Sequence, residues 1–593
     1  MKELLTGNEA IARGAFESGI TVAAAYPGTP STEILENLVR YPGVYAQWSP
    51  NEKVAMEVGA GSAIGGARTL VTMKHVGVNV AADPLFTLAY AGVNGGLVLV
   101  SADDPGMHSS QNEQDNRNYA KFAKIPMLEP SNSQECKDMV GLGLEISEHF
   151  DTPVMLRITT RVAHSQGFVE LGERKGGEAK PYVKNPPKYV MVPAHARGRH
   201  VVVEERRKKL QEYSDTCPIN KIEWEDKNIG IITSGIVYEY VKEVAPQASV
   251  LKLGMTFPIP TGIIREFAAG VKELYVIEEL EPFLEEQIRM LGIEVQGKDL
   301  FARVGEVSEK MVAEKLLYVT RYKELIDQSV LVQGVEAETD VPIPLRPPVM
   351  CPGCPHRGVF YTLNQLKLTV MGDIGCYTLG ALPPLEAMDS CICMGASVGS
   401  ALGMVKAHPE MQDKVVAVIG DSTFFHSGIT GLLDVAYNKA ATTTIIMDNS
   451  TTAMTGHQDH PATGKTLSKE TTNQVDLPAL VKALGINRVT VVDAFDIDQL
   501  KKIVKTEVET NEPSVIITKK PCVLLTKSEN LPLTIDKDSC ITCKKCMKLG
   551  CPALTAGDDE VTVNTALCTG CGLCAQLCPS DAFRKEGDVV GQQ

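Results

Sequence analysis

The chain reads as an α/β protein, with several doubly wound domains followed by a small, cysteine-rich α+β tail. Three observations predict this. Apolar strand patterns alternate with helical ones through most of its 593 residues. That length exceeds what one core holds, so three to five domains are expected. Eight of the 16 cysteines fall between positions 540 and 578, a density found nowhere else in the chain.

Composition narrows the class. The sequence is 44% hydrophobic and 22% charged, with 50 glycines, as in a globular protein. No run of about 18 apolar residues suggests a membrane span. The net charge of −15 argues against nucleic acid as the main partner. The opening "MKELLTGNEAIARGAFESG" has an amphipathic helix pattern and no apolar signal core. A cytoplasmic location is expected, and there clustered cysteines more often hold metal than form disulfides.

The elements follow in order. In the first block, "ITVAAAYPG" (20–28) reads as a strand ending in a turn. "EKVAMEVGAGSAIGGA" (52–67) is a small-residue helix. "RTLVTMKH" (68–75) and "GGLVLVSADDPG" (95–106) are further strands with polar ends. The pattern fades near 160. Residues 165–227 are polar, and the basic stretch "RGRHVVVEERRKKL" reads as a solvated helix and linker. A second α/β block begins at "NIGIITSG" (228–235) and continues through "ASVLKLG" (248–254) and "ELYVIEEL" (273–280). The acidic, proline-rich "VEAETDVPIPLRPP" (335–348) reads as a linker. A third α/β block runs from about 349 to 525.

The tail is the most specific signal. Bacterial two-cluster ferredoxins use C-x2-C-x2-C-x3-C-P, and the fourth cysteine serves the other cluster. Cys568, Cys571, Cys574, Cys578 and Pro579 fit fully. Cys540, Cys543, Cys546 and Cys551 have one residue more before the last cysteine, which lengthens a loop. Residues 530–590 therefore resemble such a ferredoxin. Crossed pairing gives one [4Fe–4S] cluster Cys540, Cys543, Cys546 and Cys578, and the other Cys568, Cys571, Cys574 and Cys551. The competing reading is a pair of zinc sites, but zinc has no preference for this repeat.

Within the third block, "DKVVAVIGDSTFFHSGITGLLDVAYNKAATTTIIMDNSTTAMTG" (413–456) reads as a strand over 414–419, a loop "GDS", a helix over about 427–440, a strand over 443–447 and a loop "DNS". Two parallel strands joined by a right-handed crossover place Asp421 and Asn449 at neighbouring carboxyl ends, where open α/β sheets bind ligands. Oxygen ligands there suit Mg2+. The pair resembles the thiamine diphosphate signature, although Ser422 stands where that signature has glycine. The resemblance implies that Asp421, Asn449 and the Thr451 carbonyl hold Mg2+ on the diphosphate, with Gly420, Ser422, Cys376 and Gly395 at the cofactor. A thiamine enzyme also needs a carboxylate to keep the aminopyrimidine ring protonated. Glu52 in "QWSPNEKVAMEVGAG" fits. Its competing reading is structural, as part of a capping box with Ser49 behind Pro50.

"YPGTPST" (26–32), "NEKVA" (51–55), "CPGCPHRG" (351–358), "GDIGCYTLG" (372–380), "GDSTFFHSG" (420–428) and the tail together resemble the 2-oxoacid:ferredoxin oxidoreductases over essentially the whole chain. The resemblance implies four parts: a pyrimidine-binding-type domain at 1–165, a linker and transketolase C-terminal-like domain at 166–340, a diphosphate- and Mg-binding domain at 341–527, and the two-cluster tail at 528–593. It implies Glu52 as the activating acid and Thr29 as a substrate contact. It further implies oxidative decarboxylation of an aryl 2-oxo acid such as indolepyruvate, acyl transfer to coenzyme A, and reduction of an external ferredoxin. A smaller beta subunit is expected, in a dimer of heterodimers. A non-oxidative decarboxylase and an electron-transfer subunit are the alternatives.

Eight cysteines remain. Cys351, Cys354, Cys376 and Cys522 have the order of a third cluster in related enzymes, although "CPGC" also reads as a structural turn. Cys391 and Cys393 read as core. Lys74, His75, His356 and His426 lie near strand ends, and each is more often structural than catalytic. His426, five residues after Asp421, is the first of them to test.

Overall fold

The computed structural model describes residues 1–331, 347–525 and 528–585, in two compact units, Met1–Pro342 and Ile343–Gln593. All but the last two residues of the linker expected at 335–348 lie outside the described residues.

In the first unit, seven strands form the main sheet, in the order Met255–Phe257, Met127–Leu128, Val154–Thr159, Leu97–Asp103, Thr69–Lys74, Val22–Ala25 and Tyr45–Trp48. All neighbours are parallel except the first pair. Thr69–Lys74, Leu97–Asp103 and Val154–Thr159 are buried along their whole length. Helices on both faces of a parallel sheet impose that pattern, and the charges these strands do carry are paired inside it, Arg157 with Asp103 at 2.7 Å. A second sheet, Glu273–Ile277, Asp226–Thr233, Ala248–Lys252 and Lys221–Glu223, is parallel but for its last strand. The two sheet regions share an ionic core. The fully buried Arg117 reaches the carboxylates of Asp115 and Glu278, the latter at 2.6 Å.

The N-terminus is not helical throughout. Lys2–Thr6 is a strand, paired antiparallel with Gln166–Glu170, and the helix starts at Gly7. Thr6 is the reason: its side chain and Glu9 form a capping box, which fixes the helix start. The basic stretch is not merely solvated either. It lies in the helix Pro193–Thr216, where Val203, Arg206, Leu210 and Ser214 are buried. Arg199 donates to the Tyr90 carbonyl at 2.7 Å, and Arg206 donates to the Ala89 carbonyl. These carbonyls end the helix Ala82–Ala91, where cations are favoured.

The second unit is built on six parallel strands, ordered Ser390–Cys391, Thr369–Gly372, Val415–Gly420, Thr443–Asp448, Ser514–Lys519 and Arg488–Asp493. Alternation sorts their side chains between two cores. Val416, Val418, Ile445 and Met447 enter one, while Val415, Ala417, Ile419 and Ile446 enter the other. The tail adds two short antiparallel pairs, Leu533–Ile535 with Phe583–Lys585 and Leu554–Ala556 with Val561–Val563. Cys391 and Cys393 are exposed rather than core. Ser390–Cys391 is a two-residue edge strand with one neighbour, so one of its sides faces solvent.

Candidate active site

Gly420 and Met447 are register partners on adjacent strands, so the segments after them leave the sheet side by side. After Gly420 the chain enters a helix at once, Asp421–Thr423, then a π turn, Phe424–Gly428. The "GDS" segment is therefore a helix start and not a loop. Gly420 has a steric reason to be glycine, because a Cβ there would meet the Tyr377 ring at 2.7 Å.

Asp421 is 2% exposed. Its Oδ1 accepts from the Ser422 N–H at 2.9 Å, and its Oδ2 accepts from the Ser450 N–H at 2.9 Å. His460 Nε2 faces the same Oδ2 at 3.1 Å. Ser450 has φ +60°, a left-handed turn that bends the chain back, and the Thr451 N–H then donates to Asn449 Oδ1 at 3.3 Å. Thr452 Oγ1 donates to Ser422 Oγ at 2.7 Å. The turn thus gathers Asp421, Ser422, Asn449 and Thr451, all buried. Their donor set is carboxylate, amide, hydroxyl and carbonyl oxygen, the hard ligands that fit Mg2+. Burial raises the neighbouring Asp448 carboxyl above its ordinary range, and the Asp421 charge adds to the rise.

Other groups close the pocket. Burial pushes His356 down to about 4, against the pull of Asp421, so it is neutral at pH 7. His426 is buried in the π turn, with Nδ1 2.7 Å from Ser427 Oγ. Gly395 has φ +87°. Its N–H donates to Asp373 Oδ1 at 2.9 Å, and the Ser397 N–H donates to Asp373 Oδ2 at 3.0 Å. Asp373 therefore caps the helix Ala396–Ala407.

The cysteines gather in three groups. Burial raises the Cys376 thiol to about 11, and the nearby sulfurs of Cys522 and Cys351 add to it. Burial raises Cys354 to about 12, with Cys351 and Cys376 beside it. The Cys522 N–H donates to the Asn449 carbonyl at 2.9 Å, which ties this group to the oxygen site. In the tail, burial raises the Cys546 thiol, and Cys543 and Cys578 are its sulfur neighbours. Burial likewise raises Cys571, whose sulfur neighbours are Cys551 and Cys568. Cys574 is raised in the same way beside Cys571, Cys551 and Cys568. Cys540 lies half-buried on the same loop as Cys543. Backbone N–H groups of Leu533 and Gly570 donate to Cys568 Sγ at 3.4 and 3.5 Å, and Ala582 N–H donates to Cys578 Sγ at 3.3 Å. Such bonds favour thiolate sulfur and tune clusters. At Cys578 burial pushes the thiol up, but the Ala582 and Ser580 contacts outweigh it and the group titrates below its ordinary value. Among the described residues no three His, Cys, Asp or Glu side chains close on a single-ion point.

In the first unit, Glu52 opens the helix Glu52–Ile64 and is 5% exposed. The capping box expected at Ser49 does not form. Asn51 is the cap, and its side chain accepts from the Val54 N–H at 2.9 Å. The Glu52 side chain is buried just inside this cap. It packs against Gly77, where a Cβ would come 2.7 Å from Glu52 Cγ and Oε1. Gly77 lies in the helix His75–Val80, which follows the strand Thr69–Lys74 directly. At the same sheet edge Ser109 Oγ donates to the Thr29 carbonyl at 3.4 Å, and Lys74 Nζ donates to the Ser109 carbonyl at 2.6 Å. Burial lowers Lys74 to about 8, despite the Asp104 charge.

Three family profiles match. "Pyruvate flavodoxin/ferredoxin oxidoreductase, thiamine diP-bdg" covers residues 13–218. "Thiamine pyrophosphate enzyme, C-terminal TPP binding domain" covers 373–518, and "4Fe-4S binding domain" covers 561–584. Indolepyruvate oxidoreductase subunit IorA of Pyrococcus horikoshii is 41% identical over 99% of this chain and 98% of its own length. The proteins of that name from Thermococcus kodakarensis and Archaeoglobus fulgidus are 40% and 41% identical, over 99% and 98% of this chain and 97% of their own length. The chain belongs to the IorA family. It is the alpha-type subunit of a thiamine-diphosphate-dependent 2-oxoacid:ferredoxin oxidoreductase, and it carries iron–sulfur chemistry.

Within this IorA-type chain, the first profile contains Thr29 and Glu52, the second Asp421, Asn449 and Thr451, and the third the four cysteines of the second tail block. His460, Tyr377 and Asp373 were not singled out from the sequence. His460 lies in a segment without strand or helix periodicity, which left no signal to find. The contact at Gly77 gives a direct prediction. Gly77→Ala forces the Glu52 carboxylate out of place, and kcat should fall about 10- to 100-fold, part of what a displaced acid–base group is worth. The circular dichroism spectrum should stay unchanged.

Proposed function

We propose that this chain, with a smaller beta subunit, converts an aryl 2-oxo acid of the indolepyruvate type and coenzyme A to the aryl-acetyl-CoA and CO2. Two electrons leave singly to an external ferredoxin. The observation that carries the reading is the pair of adjacent strand tips bearing Asp421 and Asn449. Thiamine diphosphate, when bound, supplies a nucleophilic carbon and a sink for the electrons freed as CO2 leaves.

The chain's own residues do the rest. Asp421, Asn449 and the Thr451 carbonyl hold Mg2+ at the diphosphate, with Gly420 and Ser422 alongside and Cys376 and Gly395 bordering the site. Glu52 keeps a proton on the aminopyrimidine ring, in a position that excludes water. Thr29 positions the 2-oxo acid. The neutral His356 and the buried His426 flank the site. Cys540, Cys543, Cys546 and Cys578 take one tail cluster, and Cys568, Cys571, Cys574 and Cys551 take the other. Cys351, Cys354, Cys376 and Cys522 take a third beside the cofactor. A cytoplasmic setting, where thiols stay reduced, and a dimer of heterodimers complete the reading. No described helix is long and apolar enough to cross a membrane.

The test is product analysis on the anaerobic two-subunit enzyme, offered indolepyruvate, phenylpyruvate, pyruvate and 2-oxoglutarate with coenzyme A and a viologen. Aryl-acetyl-CoA with two viologens reduced per CO2 is expected, and preferential turnover of the aryl acids. Aldehyde without viologen reduction would make it a non-oxidative decarboxylase. No turnover of any acid would leave it an electron-transfer subunit.

A further inference from the structure

Arg357 has a setting that helix stability does not explain. It lies in the first turn of the helix His356–Leu366, where the helix dipole disfavours a cation. It is 3% exposed. Among the described residues it makes no ion pair with a carboxylate, although buried charges are ordinarily paired. Its guanidinium is spent on four carbonyls from two loops distant in sequence. Nε donates to the Cys351 carbonyl at 3.1 Å, and Nη2 donates to the Met350 carbonyl. Nη1 donates to the carbonyls of Leu549 and Gly550 at 2.9 and 2.6 Å. One loop carries Cys351 and Cys354, and the other leads into Cys551. Burial lowers the Arg357 guanidinium below its ordinary value, and the sulfurs of Cys551, Cys354, Cys351 and Cys571 pull the other way.

The same two regions touch without slack at a second point. Gly353 has φ +70°, and a Cβ there would overlap Thr569 Oγ1. That hydroxyl is buried and lies at the Cys571 sulfur, whose thiol it acts to lower against the effect of burial. It stands between Cys568 and Cys571 in sequence.

We infer that Arg357 is a positioning residue for electron transfer: its forked side chain locks the Cys551 loop of the tail onto the Cys351–Cys354 loop, and its charge raises the reduction potential of the iron–sulfur centres on both sides. The inference rests on the cluster assignment proposed above. Its chemistry is one electron leaving the centre held by Cys351, Cys354, Cys376 and Cys522 and one arriving on the centre held by Cys551, Cys568, Cys571 and Cys574. No proton or further reactant is needed. A thiolate-bound cluster gains negative charge on reduction, so a fixed cation between two such centres favours the reduced form of each. A guanidinium suits the task because it stays charged when buried and presents a rigid fork of donors.

The test compares wild type, R357Q and R357K in the anaerobic two-subunit enzyme. Iron per chain, EPR-monitored redox titration and the freeze-quenched rate of tail reduction after one addition of indolepyruvate are read. R357Q should shift the reduction equilibrium of both centres about tenfold toward the oxidised form, or about 59 mV for one electron. R357K should keep both potentials and slow tail reduction at least tenfold, since one ammonium cannot hold four carbonyls. Unchanged potentials in R357Q with full iron would overturn the inference. If R357Q loses iron, R357K decides: slower tail reduction at wild-type potentials supports the inference, and a wild-type rate overturns it. A wild-type enzyme without the signal of the centre at Cys351 would instead refute the cluster assignment, before any variant is measured, and the role given to Arg357 would fall with it.

Discussion

Glu52→Gln is expected to lower kcat for the 2-oxo acid about 100- to 10,000-fold, the range that a positioned acid–base group supplies. The substitution keeps the size of the side chain and removes the carboxylate that, in the function proposed above, holds a proton on the cofactor ring. Glu52 is 5% exposed, and Asn51 caps the helix it opens. An isosteric amide fills the same space, so the fold should be retained. The measurement is kcat with saturating thiamine diphosphate, together with iron content and thermal midpoint. A large rate loss with both of the latter unchanged is the expected combination. A variant that retains near wild-type kcat would remove Glu52 from the chemistry.

Asp421→Asn is expected to weaken Mg2+–thiamine diphosphate binding about a hundredfold. That corresponds to roughly 3 kcal/mol, the upper end for losing a charged hydrogen-bond partner. Asp421 Oδ2 accepts from the Ser450 N–H and faces His460 Nε2, so the amide also disturbs the turn that presents Asn449 and Thr451. The loss should fall on the cofactor alone. Tryptic fragments and the iron of the two tail clusters should match wild type, because the tail cysteines do not depend on this turn. Equilibrium binding of thiamine diphosphate at fixed Mg2+ measures the effect. Wild-type affinity would mean that the metal ligands lie elsewhere.

The strands of both large sheets were legible for a physical reason. A parallel sheet covered on both faces needs apolar runs, and "VVAVIG" and the "IIM" of "TTIIMD" are such runs. Asp421 and Asn449 were legible because chain direction puts polar residues at the tips of those runs. The tail was legible from cysteine spacing alone. What was not legible depends on tertiary partners. The edge strand Ser390–Cys391 is too short to show a period, so Cys391 and the following Cys393 looked like core. The helix Pro193–Thr216 hides its packed face because that face includes arginines bound to carbonyls of another helix. His460 reaches Asp421 from an irregular segment 39 residues on. Asn51 won the cap from Ser49 through local backbone geometry, where the pattern S-x-x-E fitted a start two residues earlier.

The central claim is that electrons freed at the strand-tip site drain into the cysteine-held centres of the same chain. Freeze-quench EPR tests it most directly, on the anaerobic two-subunit enzyme loaded with thiamine diphosphate and mixed with indolepyruvate and no external acceptor. Reduced [4Fe–4S] signals should grow as fast as CO2 is released, and they should be absent in Glu52→Gln. CO2 release with full iron occupancy and clusters that stay oxidised would contradict the account.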